Sequence, residues 1–369
     1  MNKKAALAQT LVFLIFIGAF FVLHFALPDK SVSGRESLQT APKFSFSALT
    51  SGRFSTQAEA YVSDQFPFRE GWITLKARLE LLAGKKENNG VFLCENETLL
   101  EPFDAPEPSD LDFNLDAVNT LAEHAGVPVY FALIPSASEI WRDMLPSGAP
   151  NGSQRELIDY AYNYVNLPAV DMYAAMEARR DEPVYYRTDH HWTTLGAYYG
   201  YAALAETMGF EPVPLDEYTE TLVTDEFYGT TYSASGFSWV KPDSVLTYVN
   251  QGDAVVTNYP QGVAMPGALY DESYLDVVDK YSYFYGGNTP LLTVTTGNEG
   301  PKLLIVRDSY MDSMSPFLLA HFSEIHILDL RYYRTSLKAY IDEHGFDEIL
   351  VCYSLKNFVE DNNIFMLAY

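Results

Sequence analysis

Cysteine is nearly absent from this chain. Cys94 and Cys352 are the only two in 369 residues. Each closes an apolar run, Val91-Phe92-Leu93-Cys94 and Ile349-Leu350-Val351-Cys352, so both read as small buried hydrophobes. A long-range disulfide between them is open only outside the cytosol. No spacing of Cys and His suits a bound metal, and none is expected. Positive charge is scarce as well: 24 Lys and Arg against 49 Asp and Glu leave a net charge of −25. Such a chain repels phosphate backbones, which excludes nucleic acid as the expected partner. Repeats and low-complexity tracts are missing too, and the composition, 48% hydrophobic and 20% charged, is that of a globular protein. The length allows one domain with an appendage. What the chain has in quantity is aromatic side chains, 27 of them Tyr. Core and rim packing explains most of them, and a stacking surface for sugar rings is the sharper alternative.

Lys3 and Lys4 precede an uncharged run from Ala5 to Leu27. As a helix it rises roughly 35 Å, enough to cross a bilayer. No small-residue cleavage site follows, so an uncleaved signal anchor over 5–27 is expected. It would leave 1–4 cytoplasmic and everything beyond it extracytoplasmic. Residues 28–43 are polar and read as a tether, and 44–369 as the extracytoplasmic domain. Helices are expected near 55–64 and over 69–83. The latter carries Trp72, Leu75, Leu79 and Leu82 on one face. From Leu111 onward helices and strands alternate. Strands are expected at Val127–Ile134, Leu167–Tyr173, Leu303–Val306, Ile325–Leu328 and Ile349–Tyr353. The stretch 210–300 reads as an irregular β-rich insertion. The alternation argues for a parallel sheet in a three-layer α/β/α domain.

One stretch concentrates chemistry. In Tyr186-Arg187-Thr188-Asp189-His190-His191-Trp192 a carboxylate lies two positions before an imidazole. Asp189 can accept from Nδ1 of His191, fix its tautomer, and leave Nε2 free to take a proton. A capped surface turn, a buried polar cluster and a metal site are the competing readings. A partner hydroxyl is expected where a strand hands over to a helix. Ser309, in Arg307-Asp308-Ser309-Tyr310 after the strand ending at Val306, fits, because a helix N-terminus offers free N–H groups to an oxyanion. Its plain alternative is an N-cap. Ser136, Ser138, Ser233, Ser235 and Ser354 lack the combination of apolar strand, turn and helix.

These residues resemble a family. Asp189-His190-His191-Trp192 looks like the signature of the bacterial DHHW proteins, which are similar to the periplasmic alginate O-acetyltransferases with their SGNH-hydrolase-like domain. The resemblance extends to Ser63-Asp64-Gln65-Phe66-Pro67-Phe68-Arg69, Lys86-Glu87-Asn88-Asn89-Gly90-Val91, Gly286-Gly287-Asn288 and Arg307-Asp308-Ser309-Tyr310. It implies an SGNH-hydrolase-like α/β/α sandwich with Ser309 as nucleophile, His191 as base and Asp189 as orienter. His190 fills the variable position. Asn288 is the implied oxyanion donor beside the Ser309 N–H. Arg307 stands where an SGNH hydrolase has Gly, and would bind an anionic sugar or pair with Asp308. Tyr186 and Arg187 would line a glycan cleft, and Trp192 would anchor it. The implied activity is O-acetylation of a cell-surface polysaccharide without a cofactor, the acetyl group being supplied by a multi-pass membrane acyltransferase. An acetylesterase with the same residues and a non-catalytic glycan-binding scaffold are the rival readings.

Overall fold

The computed structural model describes residues 3–250 and 252–369, apart from the side chain of Glu36. Met1 and Asn2 of the expected tail, and Gln251 of the insertion, lie outside the described residues. The chain divides into two compact units, 1–88 with 236–238, and 89–235 with 239–369.

The first unit is helical. Helix α1, Lys3–Ala26, has a mean hydropathy of 2.5 over its most apolar window and buries none of its residues. Helices α2 (Phe46–Thr50), α3 (Arg53–Asp64) and α4 (Arg69–Leu82) follow. Phe20 of α1 stacks on Phe66, with ring centroids 5.2 Å apart. The stretch expected as a tether contains a small ribbon, Val32–Ser33 against Glu36–Ser37. It is held to α3 by the Lys30 and Gln39 N–H groups, which donate to Gln65 and Asp64. The apolar face of α4 remains exposed at Trp72, Leu75, Leu79 and Leu82.

The second unit is built on a sheet whose central strands bury apolar side chains on both faces. Its sheet comprises β1 (Val129–Ile134), β2 (Ala169–Val170), β5 (Ala254–Asn258), β6 (Met265–Pro266), β7 (Leu291–Thr296), β8 (Lys302–Arg307), β9 (Glu324–Leu328) and β10 (Glu348–Ser354). Between β2 and β5 the chain makes an antiparallel ribbon, β3 (Thr219–Phe227) with β4 (Asp243–Val249). The sheet order is β6-β5-β7-β9-β8-β10-β1-β2. Strands β9, β8, β10, β1 and β2 are mutually parallel. The parallel sheet read from the sequence is thus five strands of eight. The 210–300 insertion supplies three more, which join antiparallel through β7 on β9. Threonine-rich strands of this kind carry weak local signals, and their partners lie far away in the chain.

Successive residues of a strand face opposite sides of the sheet. Leu303 and Ile305 enter one core with Ile325, Ile327, Leu350 and Cys352, while Leu304 and Val306 enter the other with Leu328, Ile349 and Val351. Helix α7 (Thr194–Met208) and helix α8 (Met311–Leu318) cover the first core. The second is covered by α5 (Asp112–His124), α6 (Gln154–Tyr164) and α9 (Leu337–His344). The result is the α/β/α sandwich. No disulfide joins the two cysteines; Cys352 is buried and Cys94 half-buried.

Candidate active site

The loop that carries the Asp-His-His-Trp stretch is tied down on both sides. The Tyr186 N–H donates to the His191 carbonyl and the Thr193 N–H to that of Val184, closing a tight loop. At its tip, Thr188 gives its N–H and hydroxyl to Asp243. Thr193 caps α7 by accepting from the Gly196 N–H. Trp192 is wholly buried, and its indole N–H donates to the Tyr310 carbonyl and Ser313 Oγ, at 2.9 and 3.1 Å. It therefore pins the loop to the β8–α8 turn.

That turn holds Ser309. Strand β8 ends at Arg307, and Asp308 Oδ1 accepts the Tyr310 N–H while Oδ2 accepts from Ser354 and Asn357. Helix α8 begins at Met311, and its N-cap position, Tyr310, makes no side-chain cap. Ser309 is not an N-cap. Its Oγ lies 2.8 Å from His191 Nε2, across 118 positions of sequence. His191 Nδ1 lies 2.5 Å from Asp189 Oδ1. The competing serines are spent locally: Ser354 caps a helix and donates to Asp308, Ser136 and Ser138 bond each other, and Ser233 and Ser235 donate to nearby carbonyls.

Asp189 is buried and accepts four hydrogen bonds. The His191 N–H and ring reach Oδ1; the Thr230 N–H and hydroxyl reach Oδ2 at 2.7 and 3.1 Å. Burial alone would raise this carboxyl. The His190 and His191 imidazoles and the hydrogen bonds from His191 and Thr230 outweigh it and hold Asp189 well below the usual carboxylate range. Gly229 makes the close approach of Thr230 possible, since a Cβ there would stand 2.2 Å from Asp189 Cβ. His191 is only 4% exposed. Its ring lies flat on Tyr281, with centroids 3.7 Å apart and planes within 8°, and the Tyr281 hydroxyl donates to the Ser309 carbonyl and contacts Ser313 Oγ. Thr230 and Tyr281 gave no sequence signal, because both sit in the insertion and reach the site only through the fold.

The remaining expected site residues are placed elsewhere. Arg307 is 1% exposed and pairs with Asp312 at 2.8 Å and Asp329 at 3.6 Å, not with Asp308, so it is out of reach of an anionic sugar. Asn288 is exposed, and its Oδ1 accepts from that same guanidinium at 3.2 Å. Tyr186 is core, edge-on to Phe227. Arg187 spends its donors on Asp243 and the carbonyls of Asn96, Lys241 and Pro242. Arg307 and Tyr186 are structural partners by burial and Arg187 by its engaged donors, while the only Asn288 bond among the described residues uses its acceptor oxygen. His190, the variable position, faces a pocket of about 320 Å³ together with Asp189, Thr230 and Tyr310. Burial and the adjacent His191 hold its imidazole well below the ordinary range, and its Nδ1 lies 2.5 Å from Thr230 Oγ1. Ligand atoms of Asp189, His190 and His191 all fall within 4.8 Å of one another, but Nδ1 of each ring and both Asp189 oxygens are already engaged by hydrogen bonds.

A Ser, a His and an Asp joined in series, at the carboxyl end of a parallel strand and beside a pocket, can carry out acyl transfer. The chain is 26% identical over 289 residues to a Pseudomonas syringae protein named probable alginate O-acetylase AlgJ, covering 69% of this chain and 71% of that one. Against the protein of the same name from Pseudomonas putida it is 25% identical over 190 residues, 48% of each chain. Among solved structures, a DHHW family protein from Eubacterium siraeum superposes with a TM-score of 0.68 at 26% identity, covering 76% of this chain and 95% of that one. Bacillus cereus PatB1 with a sulfonyl adduct gives 0.65 at 20% identity, over 76% and 98%, and shares the fold. The DHHW protein model matches residues 109–328, a span that runs from the start of α5 through the Asp-His-His-Trp loop and Ser309 to the end of β9. This chain therefore belongs to the DHHW protein family.

Proposed function

We propose that this protein is an O-acetyltransferase that moves an acetyl group onto a hydroxyl of a cell-surface polysaccharide, with Ser309, His191 and Asp189 as a catalytic triad. The 2.8 Å approach of His191 Nε2 to Ser309 Oγ is the observation that carries this reading. In the first half-reaction His191 takes the Ser309 proton as Oγ attacks the acetyl carbonyl, and the imidazolium returns that proton to the leaving group. In the second, a sugar oxygen attacks the acetyl carbon and its proton passes to His191. The bond to Ser309 Oγ then breaks, and Oγ recovers the proton. Asp189 holds the imidazole in the productive tautomer and stabilises its charged form. The Ser309 N–H, which makes no hydrogen bond among the described residues, serves as an oxyanion donor. The named relatives support a polysaccharide acceptor.

Helix α1 is the membrane anchor in this reading. Its length and hydropathy suit one crossing, with 1–4 cytoplasmic, 28–43 leading outward and 44–369 extracytoplasmic, where a multi-pass acyltransferase would hand over the acetyl group. No cofactor takes part. The test is a trapping experiment. Wild-type protein exposed to 4-nitrophenyl acetate should release nitrophenolate and carry one acetyl group on Ser309 by peptide mass spectrometry. Ser309→Ala should do neither, losing about 10³-fold or more in rate. Equal turnover by a folded Ser309→Ala protein would reject the assignment, and acetyl release to water alone in the presence of glycan acceptors would identify an esterase.

A further inference from the structure

The pocket beside Asp189 and His190 has an apolar back, formed by residues that include Leu100, Phe103 and Ile134, and a charged rim of Glu101, Lys356 and Glu360. Its volume of about 320 Å³ exceeds what an acetyl group needs and suits a sugar ring held against Asp189, His190 and Tyr310, the immediate neighbours of His191 and Ser309. The sign of the rim is informative. Among the lining residues stand three carboxylates, Glu101, Asp189 and Glu360, against a single ammonium, Lys356. Lys356 is already committed, with Nζ 3.2 Å from Glu101 Oε2. His190 adds no positive charge, since burial and His191 keep it neutral. Arg187 and Arg307, the guanidinium groups flanking the two site segments, are tied into structural pairs. The whole chain carries −25, so the far field has the same sign as the rim. A cleft of one sign concentrates ligands of the other and repels its own.

We propose that the acceptor glycan of this protein is neutral or amino-bearing, and that polyuronates, which carry one carboxylate on every ring, are excluded by the Glu101–Lys356–Glu360 rim. The inference rests on the acyl-transfer reading of Ser309. It separates this chain in specificity from relatives whose name specifies alginate, itself a polyuronate. The chemistry of transfer is unchanged: the acceptor oxygen bonds to the acetyl carbon, the bond to Ser309 Oγ breaks, and the acceptor proton reaches Oγ through His191.

Three acceptors of one ring type that differ in charge, each through the group on a single carbon, test it: methyl glucoside, methyl glucosaminide and methyl glucuronide, each offered to the full chain in detergent with 4-nitrophenyl acetate as donor. The readout is the rate of O-acetylated sugar formed above that with Ser309→Ala, which removes spontaneous acetylation of the amine, at low salt and at 0.5 M salt. The glucosaminide and glucoside should exceed the glucuronide by about fivefold at low salt, the factor implied by about one net like charge at roughly 4 Å in a watery dielectric. High salt should shrink the gap toward twofold. Glu360→Gln should narrow it, and Glu360→Lys should narrow it further. Preference for the glucuronide, equal rates for all three, or a gap indifferent to salt and to both Glu360 variants would overturn the proposal. Acetyl-Ser309 measured in the same samples separates the two layers. If it forms, the result bears on acceptor charge; if it never forms, the triad reading falls and the acceptor proposal falls with it.

Discussion

Replacing Gly229 by Ala tests the site at a residue that takes no part in the chemistry. The added methyl carbon would stand 2.2 Å from Asp189 Cβ, 2.4 Å from Asp189 Oδ2 and 2.6 Å from Asp189 Cα. Carbon atoms in contact sit about 3.5–4.0 Å apart, so Asp189 or the 229–230 backbone must give by about 1.3 Å. Backbone and side chain of Asp189 are both in the way, and no flexible tip can swing clear. Either shift breaks the 2.7 Å bond from the Thr230 N–H and tilts the carboxylate away from His191 Nδ1. A displacement of about 1 Å in a reacting constellation costs on the order of 10²-fold, and overpacking costs about 1–3 kcal/mol of stability. Gly229→Ala should therefore stay folded, melt a few degrees early, and lose about 100-fold in kcat for 4-nitrophenyl acetate with a smaller change in KM. Gly297→Ala, where a Cβ meets nothing within 4 Å, should match wild type on both counts. A Gly229→Ala protein with undiminished kcat would refute the argument that Asp189's position governs the imidazole.

Further expectations follow from the same geometry. Asp189→Asn should lower kcat by about 10⁴-fold, because an amide lets the imidazole turn to the wrong tautomer. The imidazoles and hydrogen bonds hold the Asp189 carboxyl well below its ordinary value against the opposing effect of burial. Its contribution to stability is therefore complete above about pH 4 and is lost as the pH falls through the depressed folded value. Acid unfolding curves should accordingly lose part of their slope below pH 4 in Asp189→Asn, and equal slopes would contradict this. Arg307→Met should cost about 3–5 kcal/mol in denaturant unfolding, because Asp312 and Asp329 would be left buried without their counter-charge; a loss under 1 kcal/mol would mean the pair is dispensable. Chelation by EDTA should leave ester turnover unchanged, whereas loss restored by a divalent ion would redirect attention to the Asp189, His190 and His191 cluster.

Much was legible in the sequence because it is written locally. The apolar runs 303–306, 325–328 and 349–353 identify the central strands wherever they pair, since a strand buried on both faces must be apolar on both. The Asp189–His191 bond spans two positions, and the strand-to-helix switch around Ser309 is visible in its own neighbours. Residues whose surroundings come from far along the chain are not legible in this way. Arg307 looks like a ligand-binding cation until Asp312 and Asp329 close on it. Tyr186 and Arg187 look like cleft residues until Phe227 and Asp243 claim them, and Asn288, the implied oxyanion donor, accepts from Arg307 through Oδ1. Thr230 and Tyr281 carried no signal at all.

The amino-acid sequence by itself determined the α/β class and the apolar N-terminal helix, and its resemblance to the DHHW proteins pointed to the three residues that meet. Periodicity, turn chemistry and side-chain functionality act over a few positions and need no further context. Only the tertiary structure decided that the insertion extends the sheet, that Tyr281 lies flat on His191, and which charges stay free at the pocket rim. Those outcomes are set by pairing across a hundred residues or more, where burial and hydrogen-bond satisfaction choose among partners that no local pattern names.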